Sequence, residues 1–347
     1  MNHNNYLKHN YELIIMLYYL LPKTNHPINL SINLSHDECQ IYNTTSLYDY
    51  FIELNNHLYN LLKNNTSDSE KQLLQNINYS HNVLLIHNDI YFNKYEEIIY
   101  DFIEFIQLFK SNFNLTNDFQ NILLVTKNNL IFEKYFHYLN TKYNLNLINI
   151  HSDINQNFSS FKYNFVFYEI PFFDKTNYNA YHTYLTYIID IIHSFLKANS
   201  KCLIKINYMY YKPVLDFIYY LSSIFDKVYI IKPTIINTND YKYIYCNNFL
   251  DYSNTNHNHV RDFIRNYKYD KYIHGLINYD IPDFFYNKFN DINLIIGQQQ
   301  LEMLKHINTI IKGYNKNTNI EEFCVKHLKK YKEWIKKLDV PDNLFDE

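Results

Sequence analysis

The first 274 residues of this 347-residue chain contain no glycine; the three that exist are Gly275, Gly297 and Gly313. Glycine supplies positive φ and lets backbone approach a phosphate or ribose closely. Its absence excludes a P-loop, a G-x-G-x-x-G dinucleotide fingerprint and a kinase glycine-rich loop. Any cofactor loop upstream of Gly275 is therefore built without that device. Cysteine is also sparse: Cys39, Cys202, Cys246 and Cys324 stand far apart, with no C-x-x-C pair. That distribution predicts reduced, mostly buried thiols of an intracellular protein. Long apolar runs are missing too. The best, Leu13–Leu21, is too short to span a bilayer, and Met1 is followed by polar residues, not a basic n-region. The expectation is no signal peptide, no membrane helix and a cytoplasmic location. No strong charge of one sign exists either, since the net charge is −3. RNA binding would then need a local patch, not a global basic field.

What abounds is Tyr (38) and Phe (25), together with Asn, Ile and Lys. AT-rich coding accounts for that bias, and tyrosine serves core and surface alike because it is amphipathic. The sixteen histidines show no His-x-x-x-His or zinc-finger spacing, so no metal site is expected. No G-x-S-x-G elbow exists to anchor a hydrolase triad.

Residues 1–80 read as a mainly helical extension, with a Ser-x-x-Glu helix start at Ser67–Glu70. From there to residue 250, short apolar runs alternate with amphipathic segments. The strand candidates are Val83–Ile86, Ile122–Val125, Leu145–Ile150, Asn164–Tyr168, Cys202–Ile206, Lys227–Ile231 and Tyr241–Cys246. Helix candidates between them are Tyr95–Phe109, Leu130–Tyr143, Tyr178–Lys197 and Pro213–Phe225. Such alternation predicts an α/β fold with a mostly parallel sheet covered on both faces. Only Pro233–Asp240 separates the last two strands, which predicts an antiparallel end to the sheet. Residues 251–347 form a second extension, with amphipathic segments at Gln298–Ile311 and Ile320–Leu338. Lys326–Lys337 makes a basic face, read as a solvated exterior, with an RNA contact face as the other reading.

The segment Lys201–Phe249 holds an apolar strand with an internal lysine, a helix ending at Ser-Ile-Phe-Asp-Lys, a K-V-Y-I-I-K-P strand and a Y-K-Y-I-Y-C strand. In that order these elements resemble the C-terminal half of FtsJ-like ribose 2′-O-methyltransferases, including the cap-modifying versions of eukaryotes and large DNA viruses. The resemblance extends weakly upstream to about residue 82, and Trp334 and Pro341 match a "W…VP" ending. It implies a seven-stranded Rossmann-like class I methyltransferase sheet with the last strand reversed, S-adenosylmethionine as cofactor, and capped mRNA or another RNA as substrate. A virally encoded member would work in the host cytoplasm or the virion.

On that pattern Lys205 aligns with the central catalytic lysine. A ribose hydroxyl is a poor nucleophile, and a lysine held among charged groups can take its proton. A lysine snorkelling to solvent from a strand end is the other reading. Glu169, just ahead of Pro171, stands for the acid that orients the lysine, or is a surface charge at the sheet margin. Lys71 matches the N-terminal catalytic lysine by spacing, or is a surface lysine. The last acidic position falls near Tyr241, which carries no carboxylate; Asp240 adjoins it. The cofactor loop falls at His87, Asn88 and Asp89, running to Phe92, and Asp153 matches the acid that contacts the adenine end or caps a helix. Two expectations follow: an RNA 2′-O-methyltransferase, or a catalytically degenerate descendant acting as a structural or RNA-processing subunit.

Overall fold

The computed structural model describes residues 17–64, 98–109, 118–127, 129–143, 149–151, 162–170, 178–233, 241–250, 256–268 and 270–312. Nine strands are described: β1 (Leu17–Leu20), β2 (Asn33–Ser35), β3 (Asn121–Val125), β4 (Asn149–His151), β5 (Tyr163–Glu169), β6 (Leu196–Ile206), β7 (Phe225–Lys232), β8 (Lys242–Phe249) and β9 (Tyr272–Gly275). The described helices are α1 (Thr45–Asn64), α2 (Ile98–Leu108), α3 (Asn129–Tyr143), α4 (Tyr178–Phe195), α5 (Lys212–Ile224), α6 (Asn256–Asn266) and α7 (Asp283–Lys312).

Seven strands form one mixed sheet in the order β1-β7-β8-β6-β5-β3-β4. β4, β3, β5 and β6 run parallel, while β8 is antiparallel to both β6 and β7. The central strands are apolar on both faces because helices cover both. On one face Phe165 and Phe167 of β5 and Leu203 of β6 pack with Phe102 of α2 and Phe132 of α3. On the other, Val166, Tyr168 and Ile204 pack with Leu185 of α4 and Phe217 of α5. The α/β expectation and the reversed last strand are both realised.

Residues 1–80 differ from their helical reading. Helix α1 is present, but Leu17–Leu20 is an edge strand, antiparallel to β7 with Leu17 opposite Lys232. A second piece of this segment, β2, pairs with β9, so both flanking segments join in a two-stranded ribbon. The candidate strand Val83–Ile86 and the helix candidate Ile320–Leu338 lie outside the described residues.

Scarce glycine leaves its mark on how turns and caps are made. Left-handed backbone falls on Thr44, Asn199, Tyr208 and Asn248; asparagine tolerates it well, tyrosine does not. Helix α5 starts after Tyr211 with proline in its first turn, where no amide hydrogen bond is lost. Its C-terminus has no glycine cap. Lys23 substitutes, its Nζ donating to the carbonyls of Ser222, Ser223 and Phe225 at 2.7–3.1 Å. The two described glycines mark close approaches instead: Gly275 against Asp216, and Gly297 of α7 against Leu47 of α1.

Candidate functional site at the strand tips

Strand β3 leads through α3 to β4 on one side, and the chain then crosses back to place β5 on β3's other side. The order reverses between β3 and β5, and in open α/β sheets the crevice at the carboxyl ends beside such a reversal is where ligands bind. Three side chains meet there. Glu169 closes β5 and lies opposite Lys205, the penultimate residue of β6, so both side chains leave the same sheet face. Lys205 Nζ donates to Glu169 Oε1 at 3.1 Å. Thr126, the first residue past β3, donates through Oγ1 to Glu169 Oε2 at 2.6 Å. Each oxygen of the carboxylate is thus held from a different neighbouring strand. The lysine and glutamate side chains are 17% and 11% exposed, so this ion pair is largely withdrawn from water but still reachable.

Tyr241, immediately before β8, completes the group. Its ring centroid stands 4.4 Å from Lys205 Nζ and 5.0 Å from Lys232 Nζ. Lys232, the last residue of β7, also donates to the Tyr241 carbonyl at 2.9 Å. An ammonium over an aromatic face is attracted by the ring quadrupole, about 1–2 kcal/mol when partly desolvated. Behind Lys205, its register partner Tyr243 donates its hydroxyl to Asp101 of α2 at 3.0 Å, and that carboxylate is fully buried.

The turn that follows β6 is under strain. Tyr208 takes φ 46°, where a bulky side chain crowds its own backbone. The turn is pinned from outside: the Tyr181 hydroxyl donates to the Asn207 carbonyl, Asn293 Nδ2 donates to the Met209 carbonyl, and the Tyr42 and Asn43 amides donate to the Tyr210 carbonyl. Lys205 is therefore three residues from a conformation that the surrounding structure imposes.

A second polar knot sits away from the tips. Asp216 of α5 is fully buried and accepts from Lys212 Nζ at 2.8 and 3.0 Å and from the Leu276 amide at 2.8 Å. Burial raises its carboxyl, and the Lys212 charge opposes that rise. Through these bonds it fastens the segment after β9 to α5, a structural task.

Of the seven residues singled out from sequence, Lys205 and Glu169 are brought together. Lys71, His87, Asn88, Asp89 and Asp153 lie outside the described residues, as does Asp240. Of the two described tips beside the reversal, that of β3 continues through Thr126 and Lys127, that of β5 through Ile170, and neither contains glycine. Three partners went unread in the sequence: Thr126, Lys232 and the Asp101–Tyr243 pair. Lys232 and Tyr243 fall inside the K-V-Y-I-I-K-P and Y-K-Y-I-Y-C motifs, which give them no role, and Thr126 is marked only by its place at a strand end.

Among the described residues no group of histidine, cysteine and carboxylate side chains is arranged to hold a metal, and no helix is long and apolar enough to cross a membrane. Cavities of about 520 Å³ beside Tyr50 and His57 and about 380 Å³ beside Leu30 and His259 lie apart from the strand tips. No protein-family model matches the chain, and no curated protein matches it.

Proposed function

We propose that this chain is a divergent class I methyltransferase acting on RNA, transferring a methyl group to a ribose 2′-hydroxyl, with the mRNA cap as its substrate region. The observation that carries the reading is the Lys205–Glu169 ion pair at adjacent parallel strand tips beside the order reversal. An isolated lysine inside a sheet is costly. Here it is held by a carboxylate, itself fixed by Thr126, so its ammonium is set at a defined point above the sheet. For the transfer step Lys205 would have to be in its neutral amine form, whose lone pair takes the proton of the ribose hydroxyl, and Glu169 would keep that nitrogen in place while it does so. Lys71 would add an auxiliary positive charge.

S-adenosylmethionine would supply the methyl group. By resemblance His87, Asn88, Asp89 and Asp153 would hold it. The β3 tip beside the reversal carries side chains at Thr126 and Lys127, and the Thr126 hydroxyl is already committed to Glu169. A second reading has its own support. Tyr241 stands where the resemblance implies a carboxylate, and the tip at the reversal lacks glycine, as a degenerate scaffold serving RNA processing would.

Calorimetric titration of S-adenosylmethionine separates the two. Micromolar binding that Asp153→Ala abolishes, with methyl transfer to capped RNA that Lys205→Ala lowers at least about a hundredfold, supports the enzyme. No heat at millimolar cofactor leaves the scaffold.

A further inference from the structure

An ammonium group has three N–H donors. In Lys205 one goes to Glu169 Oε1, and the Tyr241 ring covers a second side. Among the described residues it has no third partner. The ring is itself fixed: Tyr241 is 7% exposed, Lys232 holds its carbonyl, and the Tyr243 ring meets it edge-on with centroids 6.1 Å apart. A carboxylate in this place would also hold the lysine. It would bring a negative charge with it, and any phosphate approaching the ammonium would then be repelled at close range. The aromatic face attracts the ammonium through its quadrupole and carries no formal charge.

We propose that Tyr241 is the positioning residue that makes these strand tips a phosphate-binding site. Its ring holds the Lys205 ammonium beside Glu169 and leaves the remaining donor to a phosphate oxygen of the RNA strand. This rests on the RNA reading above. The ring face alone does the work, so the Tyr241 hydroxyl is not required.

Fluorescence anisotropy with a capped, single-stranded ten-nucleotide RNA tests this on the full chain, comparing wild type with Tyr241→Phe, Tyr241→Leu and Tyr241→Glu. Thermal unfolding of each variant checks the fold. Phenylalanine keeps the affinity within about twofold, leucine weakens it several-fold, and glutamate weakens it by about tenfold or more. The glutamate variant also flattens the slope of log affinity against log salt by about 0.7, the share of one phosphate contact to a single strand. Lys205→Met produces the same flattening, and in that background phenylalanine and leucine at 241 bind alike. If Tyr241→Glu fails to fold, the comparison of Tyr241→Phe with Tyr241→Leu in the wild-type and Lys205→Met backgrounds decides the matter. Wild-type binding that glutamate leaves unchanged overturns the proposal, as does leucine matching phenylalanine in the Lys205 protein, or no RNA binding at all. Methyl transfer is measured alongside. Tyr241-dependent RNA binding without transfer sinks the methyltransferase reading and leaves this inference standing. Transfer with RNA affinity indifferent to Tyr241 sinks this inference alone.

Discussion

Gly297 in α7 and Leu47 in α1 stand so close that a Cβ at 297 would lie 2.2 Å from Leu47 Cδ2 and 3.0 Å from its Cγ. Two opposed effects decide the outcome of Gly297→Ala. Alanine is the better helix former, by about 1 kcal/mol. Forcing a methyl into a packed helix–helix contact costs about 1–3 kcal/mol. The contact wins, so the variant is less stable by about 1 kcal/mol in a denaturant titration. Adding Leu47→Ala relieves the clash, and Gly297→Ala then becomes neutral or stabilising in that background. A stabilising single substitution would show that α1 and α7 are not held in this contact.

His182 in α4 gives stability a dependence on acidity. It is fully buried between the Tyr181 and Tyr211 rings, and neither ring nitrogen makes a hydrogen bond. Burial pushes its imidazole down to about 3; the nearby Ile273 backbone opposes the fall and the neighbouring His274 adds to it. The unfolded chain binds this proton near pH 6.5 and the folded chain does not until about pH 3. The histidine's contribution is thus intact above about pH 6.5 and is lost as pH falls towards 3, at about 1.4 kcal/mol per unit. Urea midpoints at pH 7 and pH 5 should differ by the equivalent of about 2 kcal/mol more in wild type than in His182→Leu. Equal pH dependence in the two proteins would refute the buried neutral histidine.

Breaking the Lys205–Glu169 pair from one side should be worse than removing it whole. Glu169→Ala leaves a mostly buried ammonium without its carboxylate, a loss of about 3 kcal/mol. Lys205→Met combined with Glu169→Leu should recover at least about 1 kcal/mol of that, because neither charge then remains to be desolvated. A double-mutant cycle by chemical unfolding reads the coupling; purely additive effects would mean that the two side chains do not interact in solution.

Lys23→Met removes three hydrogen bonds from the last turn of α5. The expected loss is about 1–2 kcal/mol, with faster hydrogen exchange at the end of that helix. Unchanged exchange there would mean that water serves the three carbonyls as well as Lys23 does.

The centre of the sheet was legible in the sequence because β5, β6, β7 and β8 are short runs of apolar β-formers between turn-forming segments. Edges were not. Leu17–Leu20 sits in a run with no polar alternation, and such a run reads equally as helix or strand until its partner is known. That partner, Tyr229–Lys232, is set by tertiary pairing. The meeting of Lys205 and Glu169 was legible only through the family resemblance, since the two lie on strands separated by a whole helix. Tyr241 was read as the loss of an acid. Its ring contact with Lys205 depends on side-chain direction at a strand end, which residue type alone does not convey. Thr126 and Asp101 were missed for the same reason: a hydroxyl and a carboxylate acquire meaning here only from what faces them.

The edge strand β1 has a consequence for synthesis. Leu17–Leu20 leaves the ribosome before β7, whose pairing residues follow about 210 residues later. At about 5–20 residues per second that is a wait of roughly 10–40 s. Throughout it, a four-residue Leu-Tyr-Tyr-Leu segment stands exposed and sticky, ready to pair with other nascent chains. The sheet is closed on that side by two strands made far apart in time, so β1 stays unpaired until β7 has been synthesised.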